Sequence, residues 1–201
     1  LLAPACALCA VPLREPTRGP ICTDCWHAVP RLTPPLCDRC GDPLPSGRVG
    51  AVARSGCPRC RRARSAITRS RAVGPYTGPL RQLVHLLKYE RRHTLAVRLG
   101  DLMRQYGTAV LADADYVVPV PLHARRRRAR GFNQAAELAA QLDLPVVHAL
   151  RRTVATRPQT AYPRPIGAAM SQGSSRRLGP SGGAPPRLGY AAREWWSWMT
   201  W

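Results

Sequence analysis

Up to about residue 66 the chain is punctuated by Pro and Gly, after which apolar residues adopt helical and strand-like spacings and lose periodicity again from about Ala161. Arg69 to Tyr76 (RSRAVGPY) alternates enough for a short strand, ended by Thr77-Gly78-Pro79. From Pro79, the residues Leu80, Leu83, Val84, Leu86 and Leu87 recur at helical intervals and predict a helix to about Tyr89. Leu95, Val97, Leu99, Leu102 and Met103 predict a second helix. Asp115 to Pro121 (DYVVPVP) is a short β-branched run, with Val117 to Val120 the expected buried parallel strand. A basic loop (LHARRRRARG), a helix from about Phe132 to Leu142 and a strand from Leu144 to His148 follow. Helix, strand, loop, helix, strand is the order of an α/β domain with a parallel sheet. The expected segments are 1–66, 67–160 and 161–201.

The first segment holds all eight cysteines, in four Cys-x-x-Cys pairs: Cys6/Cys9, Cys22/Cys25, Cys37/Cys40 and Cys57/Cys60. A Cys-x-x-Cys turn sets two thiolates about one tetrahedral edge apart, so two turns close a four-sulfur zinc site. Intervals of twelve residues (Cys9 to Cys22) and sixteen (Cys40 to Cys57) leave room for a small hairpin in each ribbon. Two tandem zinc ribbons and two structural Zn²⁺ ions are expected. Sequential pairing is favoured because each ribbon then closes locally; the first pair sharing an ion with the third is the alternative. Ala10 and Gly41, each directly after a second cysteine, suit a tight knuckle turn. Disulfide scaffolds rarely use only such pairs, and no signal segment precedes these, so reduced thiols and a cytoplasmic location are expected. This segment is too polar and Pro-rich to fold around an apolar core, which leaves metal to hold it.

The formal net charge of +20 points to a polyanionic partner or a phosphate-bearing ligand. Lys88 is the only lysine among 31 basic residues, so part of the charge can reflect a G/C-rich gene that favours arginine codons. The apolar runs are too short and interrupted for membrane insertion.

The run VPVPLHARRRRARGFNQAAELA (residues 118–139) carries the second chemical signal. A strand that delivers a loop into a helix start is where an open α/β sheet binds anions, because N–H groups and the helix dipole converge there. Gly131 allows close backbone approach, and Arg125, Arg126, Arg127, Arg128 and Arg130 offer guanidinium forks suited to phosphate oxygens. A solvated basic loop is the competing reading, and His123 reads as a loop hydrogen-bonding residue.

VPVPLH, the arginine run and RGFNQ resemble the signature of ComF-type proteins, the competence-associated, phosphoribosyltransferase-like family. The paired ribbons, Tyr76 to Leu80 and Leu87-Lys88-Tyr89 share in that resemblance, which covers residues 6 to about 160. It implies a double zinc ribbon followed by a type I phosphoribosyltransferase-like domain that binds phosphoribosyl diphosphate or pyrophosphate. The implied pyrophosphate-binding residues are Arg128, Arg130, Gly131, Asn133, Gln134 and Lys88; no catalytic residue can be named. Mg²⁺ would accompany phosphoribosyl diphosphate only in an intact homologue. Single-stranded DNA and competence-machinery proteins are further candidate partners.

The sequence also departs from that pattern. The family's Asp-Asp pair and Thr-Thr-Gly, which hold the ribose and 5′-phosphate, are missing, and Glu194 is the only acidic residue after Asp143. Residues 161–201 are Pro/Gly/Ser/Arg-rich and end in REWWSWMTW. Codons for Ala161-Tyr162-Pro163 permit Gly-Leu-Ser in a neighbouring frame, so a frameshifted, irregular tail is expected; a genuine disordered extension is the alternative. The expected product is a ComF-like protein inactive in this form, with a zinc-ribbon nucleic-acid-binding or competence accessory protein as the other reading.

Overall fold

The computed structural model of the chain describes residues 4–45, 56–62, 67–155 and the backbone of Ser175–Arg177. Its helices are α1 (Thr23–His27), α2 (Pro58–Arg62), α3 (Gly78–Tyr89), α4 (Thr94–Leu111), α5 (Ala124–Arg130) and α6 (Gln134–Ala139). Strands β1 (Leu150–Arg152) and β2 (Ser175–Arg177) pair antiparallel, Leu150 opposite Arg177. The chain divides into two compact units. Of the described residues, one unites those of 4–32, 72–117 and 130–146; the other unites those of 33–71, 118–129 and 147–155 with Ser175–Arg177.

In the first unit, α3 forms where the apolar spacing is clearest. Pro79 lies in its first turn, and Leu80, Leu83, Leu86 and Leu87 are buried along one stripe. Arg91, with φ +55°, turns the chain after the helix. Helix α4 buries Leu95, Ala96, Leu99 and Leu102, and it continues past Met103 to Leu111. Gly100 lets the chain after α6 approach closely: a Cβ there would collide with the Gln141 side chain. Arg104 pins the same turn, donating to the Gln141 carbonyl at 2.6 Å and pairing with Asp143 at 3.0 Å. The first ribbon is part of this core, since Cys6, Ile21 and Val29 are buried in one cluster with the α3 and α4 leucines and Phe132. Arg98 of α4 ties it further, lying 3.9 Å from the Trp26 ring centroid and donating to the Ile21 carbonyl at 3.4 Å.

The parallel sheet is barely present among the described residues. Val117 and Val146 form one parallel bridge, with the Val117 N–H donating to the Pro145 carbonyl at 2.8 Å. Pro119, Pro121 and Pro145 carry no N–H and so withdraw ladder donors from both runs, and the Val117–Val146 bridge is the parallel pairing present among the described residues. Arg69 to Tyr76 is likewise not a strand. Within it, Gly74 sits so close to Pro30 that a Cβ would strike the Pro30 carbonyl oxygen. The expected basic loop is largely helix α5, consistent with the strong helix propensity of alanine and arginine. The helix expected over Phe132 to Leu142 is confined to α6, with Asn133 as its N-cap and Asp143 at φ +54° in the turn beyond. Strand β2 falls in the segment expected to be irregular; the rest of the expected out-of-frame tail lies outside the described residues.

Candidate metal centres

The two ribbons are built from the same local device. In the first, the Ala10 N–H donates to the Cys6 carbonyl at 2.8 Å, Ala10 has φ +61°, and Ala5 bridges Pro12. In the second, the Gly41 N–H donates to the Cys37 carbonyl at 2.8 Å, Gly41 has φ +72°, and Leu36 bridges Pro43. The other pair of each quartet sits at a helix start, Cys22/Cys25 on α1 and Cys57/Cys60 on α2. A left-handed residue after the second cysteine reverses the chain within the reach of a hairpin. Ala10 meets that demand at some cost, whereas Gly41 meets it freely.

The four sulfur atoms of Cys6, Cys9, Cys22 and Cys25 lie within 4.8 Å of one another, as do those of Cys37, Cys40, Cys57 and Cys60. The Cys9–Cys22 and Cys40–Cys57 sulfurs are 3.6 and 3.7 Å apart. Zn–S bonds of about 2.3 Å give a tetrahedral edge of roughly 3.8 Å, whereas a disulfide needs about 2.05 Å. The eight thiols are free, and the two clusters fit two structural zinc sites in sequential order.

Electrostatics agree with that fit. Burial pushes the Cys6 thiol up, but N–H groups of Cys22, Leu8 and Cys9 outweigh it and bring Cys6 down to about 6. Cys37 is treated the same way, burial opposed by N–H groups of Cys40, Cys57 and Arg39, and it too falls to about 6. Burial and then the neighbouring thiols drive Cys25 up, and burial likewise leads the rise at Cys40. Each cluster thus stabilises one thiolate and resists further negative charge, a conflict that a bound dication removes.

Gly41 is the position most easily tested. Its φ disfavours any side chain, and a Cβ would stand 2.8 Å from the Ser70 carbonyl oxygen. Gly41→Val is expected to destabilise the second ribbon by about 1–3 kcal/mol, seen as earlier release of one zinc equivalent in a chelator titration.

The residues implied for pyrophosphate are partly gathered. Arg130 donates to Gln134 Oε1 and lies 5.1 Å from the Tyr89 ring centroid. Burial, then the charge of Arg130, bring Lys88 from 10.5 down to about 8. Gly131 is exposed at φ +87°, and Asn133 Oδ1 accepts the Ala135 N–H at 3.1 Å. That bond occupies an amide of the helix start, and α6 is only six residues long, so the charged pair rather than convergent amides is what this corner offers. Arg128 is exposed on α5 in the second unit. His123 Nδ1 accepts the Arg125 N–H at 3.3 Å. Sequence reasoning missed Tyr89 as the ring under Arg130, although its place beside Lys88 was a usable signal.

The double zinc ribbon domain model matches residues 1–61. The chain is 38% identical over 142 residues to the DNA utilization protein YhgH of Salmonella typhi, covering 68% of this chain and 59% of that protein. It is 34% identical to YhgH of Escherichia coli K12 over the same length. The competence protein ComFC of Bacillus subtilis is 31% identical over 136 residues, covering 66% of this chain and 55% of ComFC. No solved structure matches the chain. Fold and cysteine clusters thus define a double zinc-ribbon protein. It belongs to the ComF-like family of YhgH and ComFC, and it spans 59% of the length of its Salmonella relative.

Proposed function

We propose that the chain is a phosphoribosyltransferase-family protein that binds pyrophosphate or phosphoribosyl diphosphate without transferring the phosphoribosyl group. The observation that carries this reading is the Lys88–Arg130 pair. Burying an ammonium near a guanidinium is unfavourable, and the depressed Lys88 shows it; a bound polyphosphate relieves the repulsion and gains charge-assisted hydrogen bonds. The parallel sheet of the fold family belongs to the same proposal, with Val117 and Val146 as its start. Mg²⁺ belongs with phosphoribosyl diphosphate in an intact homologue, where carboxylates are available. Along residues 144–201 Glu194 is the only acidic residue, so this stretch offers no carboxylate pair to orient the reacting carbon, a contribution of about 7–11 kcal/mol to such barriers.

Calorimetric titration with pyrophosphate tests the reading. Arg130→Ala is expected to weaken binding about 10–100-fold, the equivalent of one charge-assisted contact. Affinity should be full below pH 8 and fall as pH rises through about 8, where the folded Lys88 loses its proton. The unliganded fold should do the opposite. Its unfolded form keeps that proton up to about 10.5, so stability rises between the two values. Binding unaffected by both the substitution and the pH step would sink the proposal.

A second reading, a nucleic-acid-binding accessory role, is favoured by α5, where Arg125, Arg127 and Arg128 are exposed together, and by the name of the YhgH relatives. It requires salt-dependent binding of single-stranded DNA that weakens when these arginines become alanine.

A further inference from the structure

The two ribbons are supported differently. The first has its knuckle packed into the α3–α4 core through Cys6, Ala7 and Leu8. Among the described residues, the apolar cluster of the second consists of Cys37, Leu44 and Cys57 with Cys40 and Cys60 beside them. What lies over its first knuckle instead is the segment Ser70–Arg71.

We propose that Arg71 is a positioning residue of the second metal site, holding the Cys37–Cys40 knuckle so that its amides aim at sulfur. Arg71 Nη1 donates to the Asp38 carbonyl at 2.9 Å and the Ser70 carbonyl at 2.7 Å, and the Cys37 carbonyl is 3.4 Å away. The Ser70 N–H donates to the Arg39 carbonyl at 2.6 Å. Three successive carbonyls of the knuckle are therefore held on one side by two residues. In a trans peptide group the C=O and N–H point in opposite directions. Fixing the Asp38 carbonyl directs the Arg39 N–H, and fixing the Arg39 carbonyl directs the Cys40 N–H, two amides that help to lower the Cys37 thiol, while the Cys57 N–H donates to its sulfur at 3.3 Å. Arg71 thus acts on the metal through the peptide planes of the loop.

Its setting fits that task. The side chain is 12% exposed, and among the described residues the carboxylate paired with it is that of Asp38, at 3.8 Å from Nη2. The carbonyl contacts all leave Nη1, and the planar guanidinium holds that nitrogen in place while Nη2 faces Asp38, a double orientation that an ammonium on a flexible stem does not give. Partners of this kind, one step removed from the metal, typically change its affinity about 10–100-fold.

The test uses the full chain loaded with two zinc equivalents and compares wild type, Arg71→Gln and Arg71→Lys. Zinc transfer to a chromogenic chelator gives the release rates, and alkylation mapping shows which cysteines become exposed. In Arg71→Gln, release accompanied by alkylation of Cys37, Cys40, Cys57 and Cys60 should accelerate about 10–100-fold. Release from Cys6, Cys9, Cys22 and Cys25 should keep its wild-type rate. Arg71→Lys should remain faster than wild type, because an ammonium on a flexible stem lacks the planar group that keeps Nη1 on the carbonyls while Nη2 faces Asp38. In cobalt-substituted protein the thiolate-to-metal absorption should shift in Arg71→Gln, a change that loss of general stability does not produce. Wild-type release from the second site in Arg71→Gln would overturn the proposal. So would equal acceleration at both sites, full rescue by lysine, or an unchanged cobalt spectrum.

Discussion

Removing both metal ions with a chelator is expected to unfold the first ribbon and to loosen helices α3 and α4 with it. Cys6 is 3% exposed and sits in one cluster with Leu83, Leu87 and Leu95, so the metal-holding loop and the helix pair share their interior. Structural zinc contributes about 10–16 kcal/mol in small zinc-binding peptides. A whole domain is stable by only about 5–15 kcal/mol. Loss of the ion therefore exceeds what the remaining contacts of Ile21, Val29 and Trp26 can supply. Without a cation the four thiols must also settle their own charge, and burial already drives Cys25 upward. Amide hydrogen exchange over Gly78–Tyr89 is the readout, since these amides lie outside the ribbon itself. Exchange should rise sharply on chelation and return when zinc is restored. Unchanged protection after two equivalents have left would show that the helices stand without the ribbon.

The cysteine quartets were legible because their geometry is local. A Cys-x-x-Cys spacing and a small residue after it already specify a knuckle, and Ala10 and Gly41 adopt the left-handed turns that the spacing requires. Helix α3 was legible because its buried leucines recur at one period. What failed was inference from residue type without its hydrogen-bonding capacity. The β-branched run at Val117 to Val120 has the side chains of a buried strand, but its prolines remove the donors of a ladder, leaving one bridge to Val146. The arginine run follows an expected strand and reads as a basic loop, yet alanine and arginine together favour α5.

Other features had no signal along the chain. Ile21 and Val29 are too isolated to show a periodicity, but both are buried against α3 and α4. Arg98 reaches the Ile21 carbonyl across 77 residues of sequence, and nothing near Arg98 distinguishes it from the other arginines. Arg71 meets the knuckle in the same long-range way. Such contacts arise when separate elements fold onto each other, so pattern reading within a window cannot reach them. The Lys88–Arg130 pair lies between these extremes. Each residue belonged to a segment that stood out, but their electrostatic meeting did not follow from either segment.

Leu83→Ala is expected to be strongly destabilising to the first unit, and to reach the metal. Leu83 is fully buried at 0% exposure, in one cluster with Cys6, Leu80, Leu87 and Leu95. Cutting it to alanine removes the transfer free energy of its methyl groups and leaves a cavity that rigid helices only partly fill, about 2–5 kcal/mol in total. Because Cys6 shares that interior, part of the loss should appear as weaker metal retention by the first ribbon. Zinc release with alkylation of Cys6, Cys9, Cys22 and Cys25 should speed up, while Cys37, Cys40, Cys57 and Cys60 keep their wild-type protection. Val97→Ala, at a position 51% exposed on α4, is the comparison and should change neither stability nor release. If Leu83→Ala lowers the melting temperature but leaves first-ribbon release unchanged, ribbon and helices are energetically separate despite their shared core. Accelerated release confined to the first quartet would instead establish that the zinc site and the helix pair fold as one unit.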